Sequence, residues 1–192
     1  FGVEDGEPYL VQAYLSGADL QVVLDSGTAV DLATKVRWLQ QIAAGLLAAH
    51  AQNIIHRDIK PSNIRIQSDG DVRIMDFGIA KLLEAEQQIT QTGMSIGTTG
   101  YLAPEQLTGQ DIDHRVDIFS FGVLAYELMS GRRPFAADNM TAALYRVVHE
   151  EPTPLGELAP GLPPTRTRCI MRCLEKDRDR RWASFGPVKG EL

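Results

Sequence analysis

The chain has little cysteine, no excess of positive charge and no long apolar run, and each shortage excludes a class of protein. Only Cys169 and Cys173 occur in its 192 residues, four apart in a helical pattern and without partner His or Cys at metal-ligand spacing. That argues against a disulfide framework or a zinc site and leaves a reduced, partly buried pair. Nineteen Lys and Arg stand against 25 Asp and Glu, a net charge of −6, so a general nucleic-acid-binding surface is not expected. One basic spot remains at Arg178-Asp179-Arg180-Arg181. Nothing approaches the roughly 18 apolar residues of a membrane span, and neither a signal peptide nor an internal repeat is visible. What is left is ordinary globular chemistry: 44% apolar, 23% charged, and long enough for one domain with its own core.

The informative stretch is His56-Arg57-Asp58-Ile59-Lys60-Pro61-Ser62-Asn63. Pro61 keeps it from being helical, so an acid, a cation and an amide are held close together on irregular backbone. Those groups are what phosphate chemistry with a metal ion needs. Asp76-Phe77-Gly78 follows thirteen residues past Asn63. Between them, two short β-prone runs, Ile64 to Gln67 and Val72 to Met75, surround Asp69-Gly70 and read as a hairpin. With Asp69 and Gly70 as its two loop residues, opposite partners have numbers that sum to 139, which sets Asn63 against Asp76. Strands about 4.8 Å apart would let this amide and carboxylate share one hard cation such as magnesium. Two turn residues that happen to flank a hairpin would read the same way.

Elsewhere the pattern is mostly helical. Residues 1–17 read as strand, turn, strand, with Tyr9 to Leu15 as the second strand, and Asp19 to Leu24 as a short helix closed by Ser26-Gly27. Apolar residues from Val36 to Leu47 recur at helical spacing within a helix over 31–52, which leads into the His56–Asn63 stretch, with His50 packed at its end. Asp117 to Met129 is apolar on almost every face, so that helix belongs at the centre of the core, and Asp117 needs donors there. Further helices are expected over 141–148 and 165–174, separated by a loop stiffened by five prolines. Residues 84–96 have little apolar patterning and read as a polar loop.

HRDIKPSNI, then DFG, then Ala103-Pro104-Glu105 twenty-seven residues past Asp76, together resemble the eukaryotic-type protein kinase superfamily, in wording closest to bacterial serine/threonine kinases. The resemblance implies an α+β, protein-kinase-like fold, mainly the helical large lobe with the hinge and the last small-lobe strands. Residues 1–17 are then those strands and the hinge and 18–192 the large lobe, one partial kinase domain in all. It implies transfer of the ATP γ-phosphate to Ser/Thr hydroxyls of proteins, with Mg2+ (or Mn2+) as cofactor and a cytoplasmic setting.

Carried residue by residue, the resemblance makes Asp58 the base and Lys60 the neutraliser of phosphoryl charge. Asn63 and Asp76 become the metal ligands. Gln12 becomes the gatekeeper, Ala13, Tyr14 and Leu15 the hinge, and Arg65 the residue under the adenine, where the family usually has leucine or methionine. An edge strand without a ligand is the plainer reading of residues 9–15. The 84–96 loop resembles an activation segment with Thr90, Thr92 and Ser95 as phosphorylation candidates, Arg57 as the phosphate's partner and Thr98 as a tie to Asp58 and Lys60. An ordinary solvated loop competes with that. Structural roles fall to His56 packed on Phe77, to Gly78, to Glu105 paired with Arg181, and to Asp117 as acceptor for the catalytic backbone.

No GxGxxG occurs, and Lys35, Lys60, Lys81, Lys176 and Lys189 all lie after the hinge strand. The expectation is a fragment that begins inside the small lobe, nearly inactive by itself but cut from an active parent. A non-catalytic binding module and a pseudokinase scaffold are the alternatives.

Overall fold

The computed structural model describes residues 2–4, 7–9, 11, 13–77 and 100–192. Strands β1 (Gly2–Glu4) and β2 (Glu7–Tyr9) pair antiparallel, with Gly2 opposite Tyr9. The second strand therefore ends at Tyr9 and does not run to Leu15, since residues 13–16 form no strand. Strand preference is realised only where a neighbour covers the chain. Val11 is 75% exposed and Tyr14 91%, so no such cover exists among the described residues.

A second sheet has the order β3 (Ala18–Asp19), β4 (Ile64–Ile66), β5 (Val72–Ile74), all antiparallel. Gly17, at φ +93°, lets the chain enter β3. A Cβ there would lie 2.0 Å from the Ile66 carbonyl oxygen. In the β4–β5 hairpin Ile64 faces Ile74 and Ile66 faces Val72, so opposite numbers sum to 138 and not 139. The loop is one residue longer than Asp-Gly suggests. Gln67 N–H donates to Asp71 O (2.8 Å), and Gly70 turns left-handed at φ +84° as the last residue of a three-residue loop. Asn63 consequently faces Met75, whose N–H donates to Asn63 O at 2.8 Å, and Asp76 is one step further on.

The helices among the described residues are α1 (Leu20–Asp25), α2 (Leu32–His50), α3 (Pro104–Thr108), α4 (Arg115–Ser130), α5 (Met140–His149), α6 (Leu155–Leu158), α7 (Pro164–Cys173) and α8 (Phe185–Glu191). Asp31 caps α2 by accepting from Thr34 N–H at 2.9 Å. Every residue of α4 from Val116 to Leu128 is buried, as expected for an all-round apolar helix. Around it pack α2, α7 and α8; Phe121 meets Phe185 edge-on with ring centroids 5.3 Å apart. Cys169 and Cys173 are both free thiols buried in α7, more deeply than expected.

The lower part of the fold is tied by one buried ion pair. Arg181 donates to both oxygens of Glu105, at 2.6 and 2.8 Å, and to the carbonyls of Glu175 (2.7 Å), Lys176 (3.0 Å) and Arg115 (3.2 Å). Its charge is thus fully partnered, the condition under which a buried guanidinium is tolerated. Arg178 donates to the Asp111 carbonyl.

Candidate active site

Asp117 is the point from which the site is built. It lies in the first turn of α4, fully buried, beneath the His56–Asn63 stretch. One carboxylate oxygen accepts from Arg57 N–H at 2.7 Å, the other from His56 N–H at 2.8 Å. Two adjacent amides aimed at one carboxylate force the backbone to turn, and Arg57 takes a left-handed φ of 65° that a non-glycine residue adopts only at a cost. The last residue of α2 contributes as well: His50 Nε2 lies 2.8 Å from Asp117 Oδ2, and its Nδ1 is buried with no partner among the described residues.

His56 joins this loop to the hairpin. Its Nδ1 accepts from Asp58 N–H (3.3 Å), which leaves Nε2 to donate to Met75 O (2.8 Å). The ring also lies against Phe77, centroids 4.7 Å apart. One imidazole thus touches the residue before Asp76 and the backbone of Asp58.

Asp58, Lys60 and Asn63 come together. Lys60 Nζ is 2.8 Å from Asp58 Oδ2, and Asn63 Nδ2 donates to Asp58 O (2.8 Å) and Oδ2 (3.1 Å). Pro61–Asn63 form one 3-10 turn, which brings the amide back over Asp58. Asp58 and Lys60 are 17% and 21% exposed at the side chain, enough for a reactant to reach them. Asp76 is exposed, with φ 53°, a second left-handed non-glycine residue beside the site. The orientation of Asn63 leaves its Oδ1 without a partner among the described residues.

Arg65 ties its guanidinium to protein groups. Its Nη1 lies 2.8 Å from Asp19 Oδ1, directly across the β3–β4 pair, and its Nε donates to Ser16 O at 3.3 Å. A carboxylate in register on the neighbouring strand is simply nearer than solvent. Ala13 and Tyr14 are exposed and Leu15 is half-buried. Gln12, Gly78, Thr90, Thr92, Ser95 and Thr98 lie outside the described residues.

Three supports escaped the sequence reading. Gln106 accepts from Ala103 N–H (2.9 Å) and reaches Arg57 O (3.4 Å). Ser120 donates to Tyr101 O at 2.7 Å. The Tyr101 hydroxyl donates to Glu127, which also takes Arg133 Nε at 3.0 Å. Burial, and then the Glu127 charge, push the Tyr101 phenol far above its ordinary value. The Ala103–Gln106 cap is local, but Gln106–Arg57, Tyr101–Glu127 and Ser120–Tyr101 join residues 49, 26 and 19 apart, which no local pattern announces.

Comparison with known proteins agrees with this geometry. Residues 3–187 match the protein kinase domain. The chain is 41% identical over 179 residues to serine/threonine-protein kinase PknA of Mycobacterium tuberculosis, covering 93% of this chain and 41% of that protein. It is 38% identical over 190 residues to the probable serine/threonine-protein kinase PknB of Bifidobacterium longum, covering 96% and 27%. Pkn1 of Myxococcus xanthus is 37% identical over 189 residues, with 96% and 27% covered. The chain thus spans well under half of the length of these curated relatives. No helix among the described residues is long and apolar enough to cross a membrane. With three motif strings, their folded geometry and a family match over nearly the whole length, the chain belongs to the protein kinase family and is similar to its bacterial serine/threonine members.

Proposed function

We propose that the full-length protein transfers the γ-phosphate of ATP to Ser or Thr hydroxyls of protein substrates, in bacterial signalling within the cytoplasm. The observation that carries this is the Asp58–Lys60–Asn63 cluster on a backbone held by Asp117. Phosphoryl transfer needs positioning and charge neutralisation more than covalent help. Asp58 orients the substrate hydroxyl and takes its proton as the new O–P bond forms and the bond to ADP breaks. The Lys60 ammonium, beside Asp58 in the resting site, has further N–H donors for a phosphoryl oxygen.

Asn63 and Asp76 would hold magnesium. Asn63 Nδ2 is committed to Asp58, which leaves a hard amide oxygen, and Asp76 adds an exposed carboxylate. One or two protein oxygens suit magnesium, which keeps several waters. When bound, the ion supplies charge to the phosphate oxygens. Residues 13–15 would meet the adenine.

Arg57 is the element of control. Its Nε has no partner among the described residues, and the guanidinium would pair with a phosphate on Thr90, Thr92 or Ser95. Residues 1–17 as last small-lobe strands and hinge, and 18–192 as large lobe, complete the reading.

The test is γ-phosphate transfer by the full-length protein to a protein substrate. Asp58→Asn should lower the rate by roughly 10²–10⁴-fold with nucleotide binding retained. Equal rates for the variant and the wild type would refute the reading in favour of a binding or scaffold module.

A further inference from the structure

We propose that Lys176 is a nucleophilic amine that takes up acyl groups from small activated donors, acyl phosphates or acyl thioesters. Its backbone is held in place, since its carbonyl accepts from Arg181 Nη2 at 3.0 Å. Its side chain runs to the C-terminal end of α5, where Nζ lies 2.7 Å from Val147 O and 3.3 Å from Arg146 O. The same nitrogen stands 3.6 Å from the centroid of the Phe135 ring and 5.7 Å from that of Phe119. Two carbonyl acceptors match the two N–H groups of a neutral amine. The lone pair is then turned away from both carbonyls and, by repulsion, from the negative face of the ring. The neighbouring carboxylates are engaged elsewhere: Glu150 with Arg146 (3.4 Å), Glu175 with Arg180 (3.3 Å) and Glu105 with Arg181 (2.6 Å). Neither they nor the exposed Glu151 forms an ion pair with Nζ among the described residues.

Desolvation and a cationic neighbour are the two conditions that make a lysine nucleophilic, and both act here. Burial lowers the Lys176 ammonium to about 8, with the Arg181 charge acting in the same sense and the Glu151 and Glu150 charges opposing. About a quarter of Lys176 is therefore neutral at about pH 7.5, against roughly one in a thousand for a free lysine. Lower basicity weakens the neutral amine as a nucleophile, as it does a thiolate, which leaves a net advantage of about tenfold. The residue is only half-buried, so a small donor reaches it. In the step itself the Nζ lone pair attacks the acyl carbonyl carbon and the N–C bond forms. The C–O bond to phosphate, or the C–S bond of the thioester, breaks with its electron pair on the leaving group, and one Nζ proton passes to water or to that group. The amide product keeps one N–H for Val147 O and carries no charge to desolvate, so the fold accepts it.

The test is to incubate the full-length protein with acetyl phosphate and, separately, with acetyl-coenzyme A. Peptide mass spectrometry then follows acetylation at Lys176 and at the exposed Lys189. At about pH 7.5 Lys176 should react about tenfold faster than Lys189. Its rate should level off above about pH 8, where the amine is already neutral. In urea the advantage over Lys189 should vanish, because it comes from the folded surroundings of the nitrogen. Preferential reaction with either donor supports the site, and the donor that acts identifies the source of the acyl group. Lys176 reacting no faster than Lys189 with both donors would overturn the proposal. So would a rate at Lys176 that still climbs tenfold per pH unit above about pH 9, or an advantage that persists in urea.

Discussion

Asp117 and Glu105 are both buried carboxylates in the first turn of a helix, but they are satisfied in different ways. Glu105 meets the two-pronged guanidinium of Arg181, a side chain that in turn holds three carbonyls. Asp117 meets two backbone amides and one imidazole. A carboxylate gripped by a side chain fixes the scaffold. One gripped by backbone amides also fixes whatever those amides carry next in the chain, and here that is Asp58. Equal burial thus serves the scaffold in one case and, under the proposed function, the candidate site in the other.

The largest effect should come from breaking the scaffold pair. Arg181→Ala strands a buried carboxylate and should cost about 3–5 kcal/mol of stability, read by urea unfolding. Activity per folded molecule should change little. Replacing both partners, Glu105→Leu with Arg181→Met, should recover part of that loss, since no carboxylate is then stranded while the carbonyls of Glu175, Lys176 and Arg115 still lose their donor. Losing phosphotransfer in the folded double variant would erase the distinction between the two carboxylates.

His50 sharpens the comparison from the other side. His50→Ala removes one of three donors to Asp117 and should cost about 1–3 kcal/mol. Unlike the Arg181 change, it should also lower kcat, by about tenfold, while leaving the KM for ATP unchanged. A kcat equal to wild type would make His50 merely a packed histidine.

The smallest effect lies beside the scaffold pair. Burial, with Arg181 nearby, lowers Lys176 to about 8 from 10.5, while Nζ donates to the carbonyls of Arg146 (3.3 Å) and Val147 (2.7 Å) at the end of α5. The unfolded chain therefore binds more protons than the folded one between about pH 8 and 10.5, and stability from this group rises with pH across that window. Wild type should gain on Lys176→Met between those limits and run parallel to it below pH 8. A constant difference across the whole range would contradict the shift.

Much of this was legible in the sequence where the signal is local. The HRDIKPSNI string, the all-apolar run of α4 and the helical spacing of apolar residues in α2 each carry their own evidence within a short stretch. The hairpin shows where such evidence stops. Asp69-Gly70 reads as a two-residue turn, but Gly70 serves as the left-handed end of a three-residue loop, and one residue of slip moved Asn63 from Asp76 to Met75. Helix α8, with two glycines and a proline in seven residues, has no periodic signal and forms because Phe185 and Val188 are buried in the core. Contacts such as His50–Asp117, 67 residues apart, and Arg65–Asp19, 46 apart, are products of tertiary packing alone.

The most direct test of the account is the kcat of full-length Asp117→Asn, set beside Glu105→Gln, at a temperature where circular dichroism shows both folded. Asparagine keeps the shape but cannot accept from both amides, so kcat should fall at least a hundredfold in Asp117→Asn and less than threefold in Glu105→Gln. Equal losses in the two variants, or a fully folded Asp117→Asn with wild-type kcat, would contradict the claim that Asp117 holds the catalytic backbone in place.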